Sequence, residues 1–338
     1  MDKKKIIIAS ILGNALEFYD FTLYGVFAAT IARHFFPAAS EDISLLYSLV
    51  AFASGFIMRP FGALVFGFIG DKLGRKKALL LSILLMGIPT FIIGILPSYT
   101  IIGIAAPIII ISCRLLQGLC TGGEYNGAAI YALEHVGKNY PGLAGSLITS
   151  STGIGAMMAM GMATLASQPY FPSWSWRLPF ILGAVLSLIG FYMRIRLEES
   201  PVFIEHQKNT AHHPKVPLFD AFRKHKKSML LTIGFGGMDG LLSYILFVFL
   251  STVYLIRYIN LPPLYAMHLT NFGLLLFTLS CPVLGILFDK IGSQKYYKIM
   301  MLLVIIASIP TYFILQEPFL ITQLIGVALI AIKAACIA

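Results

Sequence analysis

Charge is scarce in this chain. Lys, Arg, Asp and Glu make up 12% of its 338 residues, against roughly 25% in a soluble domain that must meet water over most of its surface. That shortage excludes the pair of soluble domains that length alone suggests. Acid is scarcer than base, 15 residues against 25, giving a net charge of +10. In a soluble protein such an excess points to nucleic acid; here the positions of the charges matter more than their sum, and no nucleic-acid partner is expected. Cysteine is limited to Cys113, Cys120, Cys281 and Cys336, all inside apolar runs and without the spacing of a disulfide framework or a metal site. They read as small buried hydrophobes. The His212-His213 pair is isolated in a polar segment, with too few ligands for a structural metal. No metal-ligand cluster and no nucleophile elbow is present, so neither an enzyme nor a cofactor is expected. No cleavable leader is expected: Met1-Asp2-Lys3-Lys4-Lys5 leads into an apolar stretch of about 27 residues with no small-residue cleavage site, so the first span is expected to be retained.

Hydrophobic residues are what the chain has in abundance, 58% of the total, with a mean hydropathy of +0.83. A helix needs about 20 apolar residues to cross a bilayer. Ten windows meet that need: 6–32, 45–69, 78–97, 101–133, 142–166, 177–196, 228–253, 262–288, 296–315 and 318–338. With the N-terminus placed in the cytoplasm, nineteen Lys and Arg residues fall on one side, Arg194 among them, and three on the other. That asymmetry is what the positive-inside rule demands. The expected fold is all-α and polytopic, with a bundle over 1–196, a cytoplasmic loop over 197–227 and a second bundle over 228–338. Within the loop, Ser200-Pro201 suits a helix cap followed by proline at the first helical position.

An internal repeat supports two related halves. Gly67-Phe68-Ile69-Gly70-Asp71-Lys72-Leu73-Gly74-Arg75-Lys76-Lys77 and Gly285-Ile286-Leu287-Phe288-Asp289-Lys290-Ile291-Gly292-Ser293-Gln294-Lys295 share five of eleven residues at an offset of 218. Parallel repeats of this kind build one class of carriers. In the first copy, Gly67 is expected to let helices approach closely. Gly74 permits a tight turn, and Asp71 caps a helix or pairs with a base. Lys72, Arg75, Lys76 and Lys77 are expected to meet lipid headgroups.

Buried charges mark the candidate pathway, because an ionised group inside the hydrocarbon costs about 2.5–3.5 kcal/mol or more and persists only for a reason. At 100° per residue, Glu17, Asp20, Phe21 and Tyr24 share one face of the first span. Arg114, Gln117, Thr121 and Glu124 share a face of the fourth, and Arg59 sits in a stripe with Gly55, Gly62 and Phe66 on the second. Asp239 lies among glycines on the seventh. Arg59 and Arg114 offer the planar fork that holds a carboxylate, and the acids are candidate carriers of a proton. Aromatic residues beside them suit a quaternary ammonium group. Pro60, Pro282 and Pro310 are expected to kink their spans.

The loop Gly67-x-x-x-Asp71-Lys72-x-Gly74-Arg75-Lys76 resembles the signature loop of the major facilitator superfamily. Glu17-Phe18-Tyr19-Asp20-Phe21, Arg59-Pro60-Phe61-Gly62, Gln117-Gly118, Gly122-Gly123-Glu124-Tyr125, Trp176-Arg177-Leu178-Pro179-Phe180 and Leu197-Glu198-Glu199-Ser200-Pro201-Val202-Phe203 resemble its metabolite:proton symporters. The run Pro97 to Pro107 is similar to the proline/betaine carriers of that group. The resemblance implies twelve spans in two pseudo-symmetric bundles, a bacterial inner-membrane location, and symport of a proton with a small zwitterion or carboxylate. A dicarboxylate such as α-ketoglutarate is the alternative substrate. Ten spans of twelve also imply a second possibility, a non-transporting fragment or one part of a split carrier whose companion supplies two helices.

Overall fold

The computed structural model describes residues 3–136, 140–168, 170–209, 226–244, 254–256 and 258–337. Among them the secondary structure is helical: α1 Lys3–Val26, α2 Ala28–Phe35, α3 Glu41–Leu73, α4 Arg75–Ile95, α5 Tyr99–Ile102, α6 Ala105–Val136, α7 Pro141–Ala166, α8 Leu178–Ile195, α9 Pro201–Asn209, α10 Lys226–Tyr244, α11 Pro263–Ile291, α12 Ser293–Gln316 and α13 Leu320–Ile337. Nine stretches of the described residues are long and apolar enough to span a membrane: Ile6–Val26, Glu41–Leu73, Arg75–Ile95, Ala105–His135, Pro141–Ala166, Ser175–Ile195, Tyr265–Ile291, Ser293–Gln316 and Leu320–Ile337. The expected span 228–253 coincides with α10 in its first part, and its remainder from 245 to 253 lies outside the described residues. So do His212, His213 and most of the linker before α10.

Local chemistry explains where the helices depart from the expected windows. The first window is divided at Phe27, whose φ of −91° and ψ of 12° separate α1 from α2. The fourth is divided at Gly103, where φ is +59°, a conformation that costs glycine nothing and other residues a clash. Ser40 starts α3 by accepting the Ile43 amide on its hydroxyl at 3.3 Å, and Ser200 does the same for Phe203 at 3.3 Å at the start of α9. Pro60, Pro282 and Pro310 lie inside α3, α11 and α12.

The helices fall into two compact units, Met1–Asn139 with Ser151–Ile204, and Tyr140–Ser150 with Glu205–Ala338. In the first unit α3 packs on α6, α4 on α6 and α8, and α1 on α6 and α8. In the second, α13 packs against α10, α11 and α12. Large apolar side chains such as Ile57, Phe61, Ile305, Ile309 and Phe313 are exposed on the outer faces, as a surface solvated by lipid tails requires. The four cysteines are buried in helix faces.

The α3–α6 contact is built from backbone. A Cβ on Gly118 would collide with the backbone of Gly55, one on Gly122 with Arg59 O and, at 2.9 Å, Ala63 N, and one on Gly62 with the backbone of Leu119. Small residues repeated along both helices permit this approach, the usual means of joining helices in lipid. Gly67 takes no part in it: apart from its chain neighbours and its own helix backbone, nothing among the described residues lies within 4 Å of a Cβ placed there. Gly118→Val should therefore lower the stability of the detergent-solubilised protein by about 1–3 kcal/mol through overpacking. Gly67→Ala should leave it within about 0.5 kcal/mol. Thermal melts of the two variants check this, and equal melts would refute it.

Candidate functional site

The first unit gathers the acids of α1 and the bases of α6 and α8 in its interior. Asp20, 3% exposed, is held from three directions. Thr90 of α4 donates to Oδ1 at 2.7 Å, Arg114 donates to Oδ2 at 3.2 Å and the Gln117 amide to Oδ2 at 2.5 Å. Gln117 also donates to Thr90 at 2.9 Å. The Arg114 guanidinium carbon stands 4.2 Å from the centre of the Tyr24 ring, and Tyr24 is fixed by donating to the Ser48 carbonyl at 3.3 Å. Arg114 keeps its Nε unpartnered, so its fork is not saturated by Asp20.

Glu124 forms a second cluster. Arg194 of α8 grips both of its oxygens, with Nη1 at 2.9 Å from Oε2 and Nη2 on Oε1. Ser82 of α4 donates to Oε2. Arg194 also donates to the Leu79 carbonyl at 2.8 Å. The pair lies where a side chain on Gly13 would otherwise go, so the glycine on α1 makes its room. Arg194 is 1% exposed, which corrects its placement among the solvent-facing charges that orient the chain. From sequence alone an arginine in the last turn of a span looks topogenic; the signal that distinguishes it is spatial. Ser82 and Thr90 escaped notice for a related reason. Each hydroxyl also stands within hydrogen-bond distance of a carbonyl of its own helix, Leu79 O at 3.1 Å and Met86 O at 2.9 Å, so its single proton is shared between carboxylate and carbonyl. Bonding to the helix's own carbonyl is the ordinary fate of hydroxyls in membrane helices.

Glu17 is different. It is 1% exposed, and neither carboxylate oxygen has a hydrogen-bond partner. Its charged neighbours are Glu124, Arg59 and Arg194, of which Arg194 is committed to Glu124. Thr121 lies beside it but donates to the Gln117 carbonyl at 2.9 Å. Arg59 is half-buried, its guanidinium carbon 4.6 Å from the Phe21 ring centre and 4.5 Å from that of Phe56, and its Nε has no partner. Two small cavities adjoin these groups, each with room for about one water molecule. One is lined by Gly13, Glu17, Ser82, Glu124 and Ser187, the other by Asp20, Phe21, Arg114, Gln117 and Thr121, and Met86 lines both. Asp239 is on α10, and its side chain lies outside the described residues.

The signature loop is tied down separately. Gly74 has φ of +107°, and the space beside it holds the Glu199 carboxylate, which accepts the Lys76 amide at 3.1 Å. Asp71 pairs with Arg75 at 2.7 Å, and Arg75 reaches Glu134 at 3.4 Å. Lys72 lies 5.4 Å from the Phe68 ring centre. Arg75 thus faces two acids. In the second unit Asp289 has another partner, accepting the amides of Gly142 and Leu143 at 2.7 and 2.9 Å, which caps α7.

Buried ion pairs, unsaturated arginine forks and lipid-facing outer surfaces define a polytopic helical carrier. Residues 5–216 match the family described as "Sugar (and other) transporter". The chain is 37% identical over 320 residues to the inner membrane metabolite transport protein YhjE of Escherichia coli K12, covering 91% of this chain and 71% of that protein. It is 31% identical over 345 residues to the proline/betaine transporter of the same organism, covering 98% and 69%. Among solved structures it resembles XylE, a proton:xylose symporter of the major facilitator superfamily, with a TM-score of 0.77 at 17% identity over 99% of this chain and 81% of that one. The chain belongs to the sugar (and other) transporter family of the major facilitator superfamily and is a multi-pass secondary transporter, not an enzyme.

The two pairs set a stability test. Arg194→Met leaves Glu124 buried and uncompensated, which should cost about 3–5 kcal/mol, whereas Arg194→Met with Glu124→Met should recover most of that loss. Melting of the single and double variants reads the difference. A double variant no better than the single one would show that the pair is not the stabilising unit.

Proposed function

We propose that this transporter couples a proton to the movement of a small solute carrying a carboxylate, with a proline- or betaine-like osmolyte as the favoured class, in a bacterial inner membrane with the N-terminus in the cytoplasm. The observation that carries the coupling is the unequal treatment of three buried acids. Asp20 and Glu124 are each gripped by an arginine and met by a hydroxyl of α4, whereas no arginine forms an ion pair with Glu17 among the described residues. A buried carboxylate without a partner is stable in its neutral form. Glu17 is thus the group that can hold a proton without disturbing the two pairs.

Substrate would enter through Arg114. It binds Asp20 through one nitrogen, and its Nε is free, so a solute carboxylate can share the guanidinium or displace Asp20 from it. Displacement leaves Asp20 without its counter-charge, which links substrate binding to the protonation of the neighbouring acids. By linkage each event then favours the other. Alternating exposure by movement of two halves about a central site completes the cycle in carriers of this architecture. The favoured solute follows from likeness to the proline/betaine transporter; a shikimate transporter at 34% identity shows that relatives also carry other carboxylates.

Glu17→Gln should retain exchange of external for internal proline or glycine betaine in proteoliposomes but lose accumulation driven by an imposed pH gradient. One coupled proton makes a gradient of one pH unit worth about tenfold in accumulation, so the loss is measurable. Accumulation equal to the unsubstituted protein would sink the assignment of the proton to Glu17. Uptake that ignores the gradient in both proteins would sink proton coupling itself.

A further inference from the structure

Lys333 is a buried cation that the first unit's chemistry does not use. It lies on α13 within the second unit and is 8% exposed. Its ammonium donates to the Thr311 hydroxyl at 3.1 Å. That hydroxyl already donates its own proton to the Ala307 carbonyl, so it can only accept from lysine. The Tyr312 ring centre is 5.9 Å from Nζ. Tyr254 holds that residue in place, its ring edge-on at 5.3 Å and its hydroxyl donating to the Tyr312 carbonyl at 3.2 Å.

An ammonium carries three donors, and one is used here. Among the described residues no carboxylate lies within ion-pair distance of Lys333, whereas Arg114 and Arg194 each have one. A lysine held inside a membrane bundle against a single hydroxyl is costly, and a methionine of similar length would pack there with less penalty. Spare donors directed into a packed interior suit an anion that arrives and leaves. We infer that Lys333, positioned by Thr311, is a second carboxylate-binding group of this carrier and receives the acid group of the transported solute. The inference rests on the reading of the chain as a carrier of carboxylate-bearing solutes. The competing arrangement is a permanent pair with Asp239, since α10 packs on α13.

The test measures thermal midpoints of the solubilised protein during titration with glycine betaine, choline and α-ketoglutarate. Choline keeps the trimethylammonium group and lacks the carboxylate. Without ligand, Lys333→Met should melt at or above the unsubstituted protein, because an unneutralised charge has been removed. Its affinity for glycine betaine should fall about tenfold or more, its response to choline should be unchanged, and Lys333→Arg should retain most of the affinity. Affinity for glycine betaine unchanged in Lys333→Met overturns the inference. So does a ligand-free midpoint that falls in Lys333→Met and recovers when Asp239→Asn is added, which is the signature of the permanent pair. If α-ketoglutarate binds with the same dependence on Lys333 and glycine betaine does not, the osmolyte reading falls and the anion site stands. If no carboxylate solute shifts the unsubstituted protein, the anion site falls.

Discussion

A charge inside a helical bundle surrounded by lipid must be matched, and this requirement organises the first unit. The α1 helix brings two acids, Glu17 and Asp20, into a setting where water cannot solvate them. Arg114 on α6 pairs with Asp20 and Arg194 on α8 with Glu124 of α6, while Arg59 on α3 is a charged neighbour of Glu17 without an ion pair to it among the described residues. Thr90 and Ser82 of α4 complete the two pairs with hydroxyl donors. Moving α1, α6 or α8 along its axis would separate a pair, and leaving one charge of a buried pair uncompensated costs about 3–5 kcal/mol. The pairs therefore fix the register of the helices, and the apolar packing fills in around them.

The glycines make that register possible. Gly55, Gly62, Gly118 and Gly122 bring α3 and α6 together at backbone distance, with the carbonyls of Arg59 and Arg114 in that contact. Gly13 clears the volume that Arg194 and Glu124 occupy. Met86 then separates the Glu17 cavity from the Asp20 cavity while lining both. A flexible, unbranched side chain is well suited to such a divider because it can rearrange at little cost. The geometry thus places Glu17 and Asp20, three residues apart on one helix, against different cavities and different partners.

The sequence made the membrane spans and the α1 and α6 stripes legible, because helical periodicity alone puts those residues on inward faces; the pairing of Asp20 with Arg114 joins two stripes and appears only in the fold. It misplaced Arg194, since a base in the last turn of a span has the same local pattern whether it faces water or an acid on another helix. Ser82 and Thr90 carry no pattern either, being single hydroxyls in an apolar run. The motif around Leu197–Phe203 and the loop at 67–77 were each visible, yet the contact between Glu199 and the Lys76 amide joins residues 123 positions apart and follows from no spacing. Gly67 and Gly62 differ only in what lies opposite them, which is a property of the fold and not of the chain.

The central claim of the proposed mechanism is that Glu17, which no arginine grips, carries the proton, while Asp20 and Glu124 are held by their arginine pairs. Infrared spectroscopy of the solubilised protein reads this directly, through the carbonyl stretch of a protonated carboxyl group in an apolar setting. The account predicts a band that disappears in Glu17→Gln and persists in Asp20→Asn and Glu124→Gln. A band that survives Glu17→Gln and vanishes in Asp20→Asn would contradict it.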